Sequence, residues 1–596
     1  LSRVRDVFVI DRRNVAELAG GTLPAPWRLS AAGCKTPLVA SLFCPADDVA
    51  AAPIVLDPAL DGWHRIYIGI EPYSAFRFSL SADSARQPVP DYLNSPQGAG
   101  KDRLLQEFYL TSADLTGRDI RLAIGGARQR WRDASIKHIR LVPMTADEVA
   151  HHRRVRELAE TDGRPFAGYM EQVTAAYMEP AVVTLLDDTR NEMRLHRERG
   201  CTDVYVHVIR LGSKAWYHSD VVERESLASE AEFRAAAQKT RAVFGATVKA
   251  DVNDPGWQQS VKWAAWMQQG DPLAVAVEHG RRLGLRVFAD MGMNVTYIVD
   301  APQLTEAVVR EHPEYLSDHP MYLDYKQQAV QDYAVAVAAE LLASYDLDGI
   351  HLDFARFGYR NAFDHDSLVA VVRRINEKRR RAETRLGHPV LIAVRIPSYA
   401  YVNDASWAES SYGGDHEAFV SALGVWAAEG LIDRVMACSM SESRRPELSV
   451  ERYVKAIEGT EVELWGDLYW QGFDTPRSRH LQIARRWVSE GLGGGFFFYA
   501  HHRPTEFEQI NWMLRLIAQK STMSPSMYRY SEGCSRRKSS RRSAWLARVP
   551  RWTSEMKTAR TRFIGRSRRA SVPPPGWWRR RCSRSTRGSA RRRTGR

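Results

Sequence analysis

The stretch YDLDGIHLDF (345–354) holds three carboxyl groups and sets an imidazole, His351, between two of them, Asp348 and Asp353. Such groups take up, donate or hold protons, and a carboxylate can also attack an electrophilic carbon. Their neighbours are apolar, and burying a charge costs several kcal/mol unless it is paired or sits at an open end. A strand that leaves the core at a working site meets both conditions. Two-residue alternation places Gly349, His351 and Asp353 on one face and Ile350 and Leu352 on the other. Asp348 begins the run and reads as a structural turn residue.

Other runs of the same texture end on polar residues. TDVYVHVI (202–209) carries His207 and is followed by Arg210, LRVFADMG (285–292) contains Asp290, PVLIAVRI (389–396) contains Arg395, and EVELWGDL (461–468) contains Trp465 and Asp467. With FAGYMEQV (166–173), IDRVMACS (432–439) and GGGFFFYA (493–500) there are eight such runs. Amphipathic segments such as DPLAVAVEHGRRLG and HDSLVAVVRRINEKRRRAE lie between them. Strand–helix alternation of this kind argues for a parallel sheet, and eight units over this length favour a closed (β/α)8 barrel. In that fold the active site lies where the strands end, which is where these polar residues fall. No GxGxxG follows the first run, against a dinucleotide-binding sheet.

The chain has 596 residues, too many for one ordinary core. Residues 1–150 show short alternating strands, among them WHRIYIGI and SIKHIRLVPM, separated by turn residues. They predict an all-β sandwich preceding the barrel. TADEVAHHRRVREL reads as a helix, with a linker over 151–164 before a barrel at 165–520. Residues 521–596 hold 23 of the 84 Lys and Arg but two of the 71 Asp and Glu, so the tail carries +21 and the rest −8. Its Arg/Ser-rich, aperiodic text reads as a disordered C-terminal tail, and nucleic acid is not expected as a partner. No apolar run approaches the roughly 18 residues of a membrane span. The six cysteines form no CxxC pair and have no zinc-finger spacing, while Cys34 and Cys44 suit one disulfide in an exported protein.

Residues 165–510 resemble the glycosyl hydrolase-like family 10 proteins. The resemblance runs through TDVYVHVIRLGSKAWYHSD, DPLAVAVEHGRRLGLRVFADMGMN, YLDYKQQAVQDYAVAVAAELLASYDLDGIHLDFARF and GGDHEAFVSALGVWAAEGLIDRVM. DGIHLDFARF is its most specific part, and the stretch ending in SIKHIRLVPM is similar to a β-sandwich attached to some members. Phe354 stands where members often carry a second acid, and Asp290-Met291 where many carry Trp. The resemblance implies a (β/α)8 glycosidase with a carbohydrate substrate and no organic cofactor or metal.

Glycoside hydrolysis generally uses two carboxyl groups flanking the scissile bond. Asp353 is the first candidate, as nucleophile or general base, and Asp467, Glu442 and Glu409 are candidates for the general acid. His207, Arg210, Asp290, His351, Arg356 and Arg395 are expected to contact sugar hydroxyls or hold the acids, and His501 and His502 lie close behind the eighth run. Trp216, Tyr217, Tyr297, Tyr399, Tyr401, Trp407, Trp465, Tyr469, Trp470 and Tyr499 follow or end strands, where rings can stack on a sugar face. Two other functions compete with hydrolysis: saccharide binding without catalysis, and a metal-dependent hydrolase built on His207, His351, Asp290 and Asp353.

Overall fold

A computed structural model describes residues 7–30, 41–44, 52–70, 76–81, 85, 87–89, 106–124, 134–171, 185–224, 226, 227, 229–245, 257–293, 296, 298, 301–318, 320–355, 362–397, 416–438, 450–468, 477–498, 512 and 514–517. Cys34 and the tail from 521 onward lie outside them.

The N-terminal part forms two antiparallel sheets. One contains β1 (Phe8–Ile10), β2 (Arg28–Ser30), β3 (Ser41–Cys44), β5 (Trp63–Ile70), β8 (Gln106–Asp114) and β10 (Ala134–Pro143), in the order β2-β3-β10-β5-β8 with β1 also on β10. The other contains β4 (Ile54–Leu56), β6 (Phe76–Leu80), β7 (Gln87–Val89) and β9 (Ile120–Ile124), in the order β4-β9-β6-β7. The alternation in WHRIYIGI buries Ile66 and Ile68 and leaves Arg65 and Tyr67 partly exposed. These isoleucines share one apolar core with Ile54, Phe76, Phe78 and Leu122 of the second sheet. The helix Ala146–Asp162 follows at once, started by a capping box in which Thr145 Oγ1 accepts from Glu148 N and Glu148 Oε2 accepts from Thr145 N. A buried ion pair, Arg77–Asp188 at 2.9 Å, ties β6 to the helix Leu185–Glu198.

Eight parallel strands then close on themselves: β11 (Phe166–Met170), β12 (Asp203–Arg210), β13 (Arg286–Gly292), β14 (Gly349–Asp353), β15 (Leu391–Pro397), β16 (Arg434–Cys438), β17 (Glu463–Asp467) and β18 (Phe496–Phe498), which pairs back onto β11. Their outward side chains, Ile350 and Leu352 among them, join helices such as Gln328–Ser344 and His365–Leu386 in the main apolar core. Phe354 joins that outer core too, packing on Phe363, Phe419 and Trp426.

The barrel interior is layered. At the N-terminal end Asp203, fully buried, accepts from Arg286 (2.5 and 3.0 Å) and from Arg434 (3.0 Å). Above this ionic floor lie Tyr169, Tyr205, Phe288, Met436, Trp465 and Phe497. The Arg434 guanidinium stacks 4.3 Å from the Trp465 ring, joining the two layers. Glycines make room for this aromatic layer. A Cβ on Gly349 would lie 2.2 Å from the Phe288 ring and 2.6 Å from the Leu391 carbonyl oxygen, and one on Gly494 would lie 2.3 Å from Trp465. Polar side chains fill the third layer, at the C-terminal end.

Two substitutions test this layering by denaturant unfolding. Asp203→Ala strips buried Arg434 of its closest carboxylate and should cost about 3 kcal/mol or more. Gly349→Ala forces backbone or ring to move and should cost about 1–3 kcal/mol. Wild-type stability in either variant would contradict the packing described.

Candidate active site

Four strands contribute a buried cluster of two acids, a cation and a cysteine. Arg395, in the middle of β15, sits between Asp353 on β14 and Asp467 on β17. Its Nη1 donates to both Asp353 oxygens (3.3 and 3.1 Å), its Nε to Asp467 Oδ2 (2.8 Å), and its Nη2 to the sulfur of Cys438 on β16 (2.8 Å). Arg395 and Asp467 are 0 % exposed and Asp353 1 %. Asp353 also accepts from Ala355 N at 2.9 Å, which fixes the carboxyl as the chain leaves the strand. Burial raises the pKa of Asp467 above the usual carboxyl value, and the nearby Asp353 charge adds to the rise. The Arg395 charge, with hydrogen bonds from Arg395 and Cys438, opposes the rise without cancelling it.

A second cluster adjoins on β12, β13 and β14. Asp290 accepts from Nδ1 of His207 through one oxygen and from Nδ1 of His351 through the other, and Tyr169 OH donates to it at 3.3 Å. Burial pushes the Asp290 carboxyl up, but its interactions with His351 and His207 outweigh this and hold the group well below the usual range. Burial, helped by the Arg210 charge, lowers the pKa of His207. A register shift in β12 between His207 and Ile209 interrupts the alternation, and Arg210 pairs with Glu171 just past β11.

The loop after β12 folds back over this cluster. Trp216 N donates to Val208 O, and the Trp216 ring lies 4.8 Å from that of His207. Glu340, on the helix Gln328–Ser344, fastens the loop by accepting from Tyr217 OH (2.7 Å), Ser219 Oγ (2.6 Å) and the backbone of Asp220 and Val221.

Several expectations change on this geometry. Trp465, expected to bind substrate, lies two residues below Asp467 in the aromatic layer, 0 % exposed, with its Nε1 donating to Glu463; its height puts it in the packing. Asp290, also expected to contact sugar, has both oxygens engaged by imidazoles, so it reaches a ligand only through them. Trp216 and Tyr217 are buried at 1 % and 0 % exposure. Asp348 accepts from Val287 N at 2.8 Å at the N-terminal end, in keeping with a structural turn residue. Glu442, Arg356, Tyr469 and Tyr499, with Glu409, Tyr297, Tyr399, Tyr401, Trp407, Trp470, His501 and His502, lie outside the described residues. Among the described residues no three His, Cys, Asp or Glu side chains are grouped to hold a metal ion, and no helix is long and apolar enough to cross a membrane. Four participants escaped the sequence reading: Tyr169 on β11, Glu171 one residue past its end, Glu340 on an outer helix, and Cys438, whose inward parity with Arg434 and Met436 was the available signal.

No family model matches the chain, and no curated protein matches it. Solved structures similar to it include a chitinase from Ipomoea carnea (TM-score 0.31, 10% identity, 59% of this chain and 99% of that one). An alpha-L-fucosidase from Paenibacillus thiaminolyticus gives a TM-score of 0.34 at 11% identity, over 59% of this chain and 49% of its own. An alpha-galactosidase from Geobacillus stearothermophilus gives 0.29 at 13%, over 80% and 65%. Likenesses this distant carry no argument about chemistry, which rests on the side chains themselves.

Proposed function

We propose that the chain hydrolyses glycosidic bonds of an oligo- or polysaccharide, with Asp353 as nucleophile or base and Asp467 as general acid. The observation that carries this reading is the guanidinium of Arg395 shared by both carboxyl groups. Sharing one cation keeps their nearest oxygens closer than the upper limit of about 9.5 Å for two-carboxylate hydrolysis. It also places the two groups in unequal surroundings, the usual basis for dividing acid and base roles. Asp353 has two oxygens on the cation and one on a backbone N–H, while Asp467 is pushed toward its protonated form.

In the reaction Asp467 gives its proton to the glycosidic oxygen as the bond to the anomeric carbon breaks. Asp353 then either bonds that carbon, forming a glycosyl ester that water later cleaves, or takes a proton from the attacking water. In the first route the incoming water returns a proton to Asp467. Arg395 stays charged throughout and offsets the Asp353 carboxylate whenever substrate is absent.

One observation favours the second reading, saccharide binding without catalysis. Phe354, standing where members of the family this chain resembles often carry a second acid, packs into the outer core instead.

A panel of plant and bacterial polysaccharides separates the two. Asp353→Asn should cut release of reducing sugar by about 10³-fold or more. Equal rates in variant and wild type would remove Asp353 from catalysis, and binding without hydrolysis would establish the second reading. Asp467→Asn should slow glycosides with poor leaving groups far more than aryl glycosides, whose departure needs little protonation. The raised Asp467 pKa also has a sign. Its protonated form is favoured in the folded chain, so its stabilising contribution is complete below the ordinary carboxyl pKa. That contribution is lost as pH rises through the higher folded value. Hydrolysis should fall over the same alkaline limb, and Asp467→Asn should flatten the stability profile there. An unchanged profile would show that Asp467 does not titrate above its ordinary value.

A further inference from the structure

The pairing of His207 and His351 through Asp290 leaves two nitrogen atoms to be explained. Both imidazoles direct Nδ1 at the same carboxylate, and both Nε2 atoms are buried with no hydrogen-bond partner among the described residues. Buried polar atoms are almost always bonded, so two orphans in one cluster call for a cause. The residues themselves are 1 % and 0 % exposed, and aromatic rings hold them on several sides. Trp216 and Tyr169 lie 4.8 and 5.9 Å from His207, and Tyr205 and Phe497 lie 4.7 and 5.7 Å from His351.

The carboxylate decides which hydrogen each ring carries. An ionised Asp290 only accepts, so each Nδ1 facing it must carry the proton, and a neutral ring then has a bare lone pair at Nε2. We propose that Asp290 is a positioning residue that locks His207 and His351 as Nδ1–H tautomers, making their Nε2 atoms a pair of acceptors for the hydroxyl groups of a saccharide. This deepens the hydrolase reading and rests on it for the identity of the ligand, though not for the tautomers. The same lone pairs would suit a metal ion, but no third ligand is grouped with them among the described residues. Hydroxyl donors satisfy each nitrogen separately. A site built around acceptors of this kind discriminates strongly, since a substrate lacking the matching hydroxyl leaves buried nitrogens unpaired. Rejection by factors of about 10⁴–10⁵ is known for such sites.

The test is nitrogen NMR of the full chain labelled with ¹⁵N-histidine at pH 7, with assignments from His207→Gln and His351→Gln. Both rings of the wild type should show protonated Nδ1 and unprotonated Nε2. Asp290→Asn, whose amide donates as well as accepts, should convert one ring to the opposite tautomer. If that variant does not fold, the wild-type spectrum still decides, because a proton on either Nε2 overturns the proposal. Methyl glycosides of glucose, galactose and N-acetylglucosamine at millimolar concentration are the probes, and at least one should shift an Nε2 resonance. Resonances that none of them moves, or that one equivalent of Zn²⁺ moves in their place, would overturn the assignment to saccharide hydroxyls. Shifted resonances in a chain that hydrolyses no polysaccharide would retain this proposal and remove the hydrolase.

Discussion

The top of the barrel depends on one buried cation. Removing Arg395 would leave two carboxyl groups in a site from which water is largely excluded, and neither could remain ionised there without a large penalty. The fork geometry of a guanidinium is what allows the sharing. Nε and Nη1 address different carboxyl groups while Nη2 reaches a sulfur, and a lysine ammonium has no equivalent directional set. Asp353 and Asp467 therefore form a unit with Arg395, and the state of one acid feeds directly into the other.

That unit can be polar because the layers beneath it are arranged in sequence. Asp203 with its two arginines closes the N-terminal end, and a belt of aromatic rings separates this floor from the upper acids. Two inward faces follow the order of charge, ring and charge along the strand: Arg286, Phe288 and Asp290 in β13, and Glu463, Trp465 and Asp467 in β17. The rings screen the two ionic layers from one another, and the missing side chain at Gly349 lets Phe288 take its place in the belt.

Much of this was legible in the residues and some was not. All eight barrel strands could be read because apolar runs of four to eight residues, cut by amphipathic helices, are a strong periodic signal, and strand parity correctly set His351 and Asp353 apart from Ile350 and Leu352. Parity gives a face but no height, which is why Trp465 looked like a sugar platform when it lies one layer too low. Pairing is not periodic at all. Nothing in VFADMG tells that Asp290 serves two histidines on flanking strands, because the contact depends on the register of three strands together. Cys438 gave no charge signal, and Glu171 falls just beyond a strand whose end the text FAGYMEQV does not mark.

Glu340 extends the reach of the site to the outside of the barrel. It belongs to the helix that leads into β14, the strand bearing His351 and Asp353, yet its carboxylate clasps the loop that follows β12, the strand bearing His207. The peripheral helix thus works as a tie-rod between β14 and the loop that follows β12. A change in its length or pitch would be transmitted to the spacing of groups that it never touches, so drift in an outer helix could retune ligand preference while every residue of the inner layer stays the same.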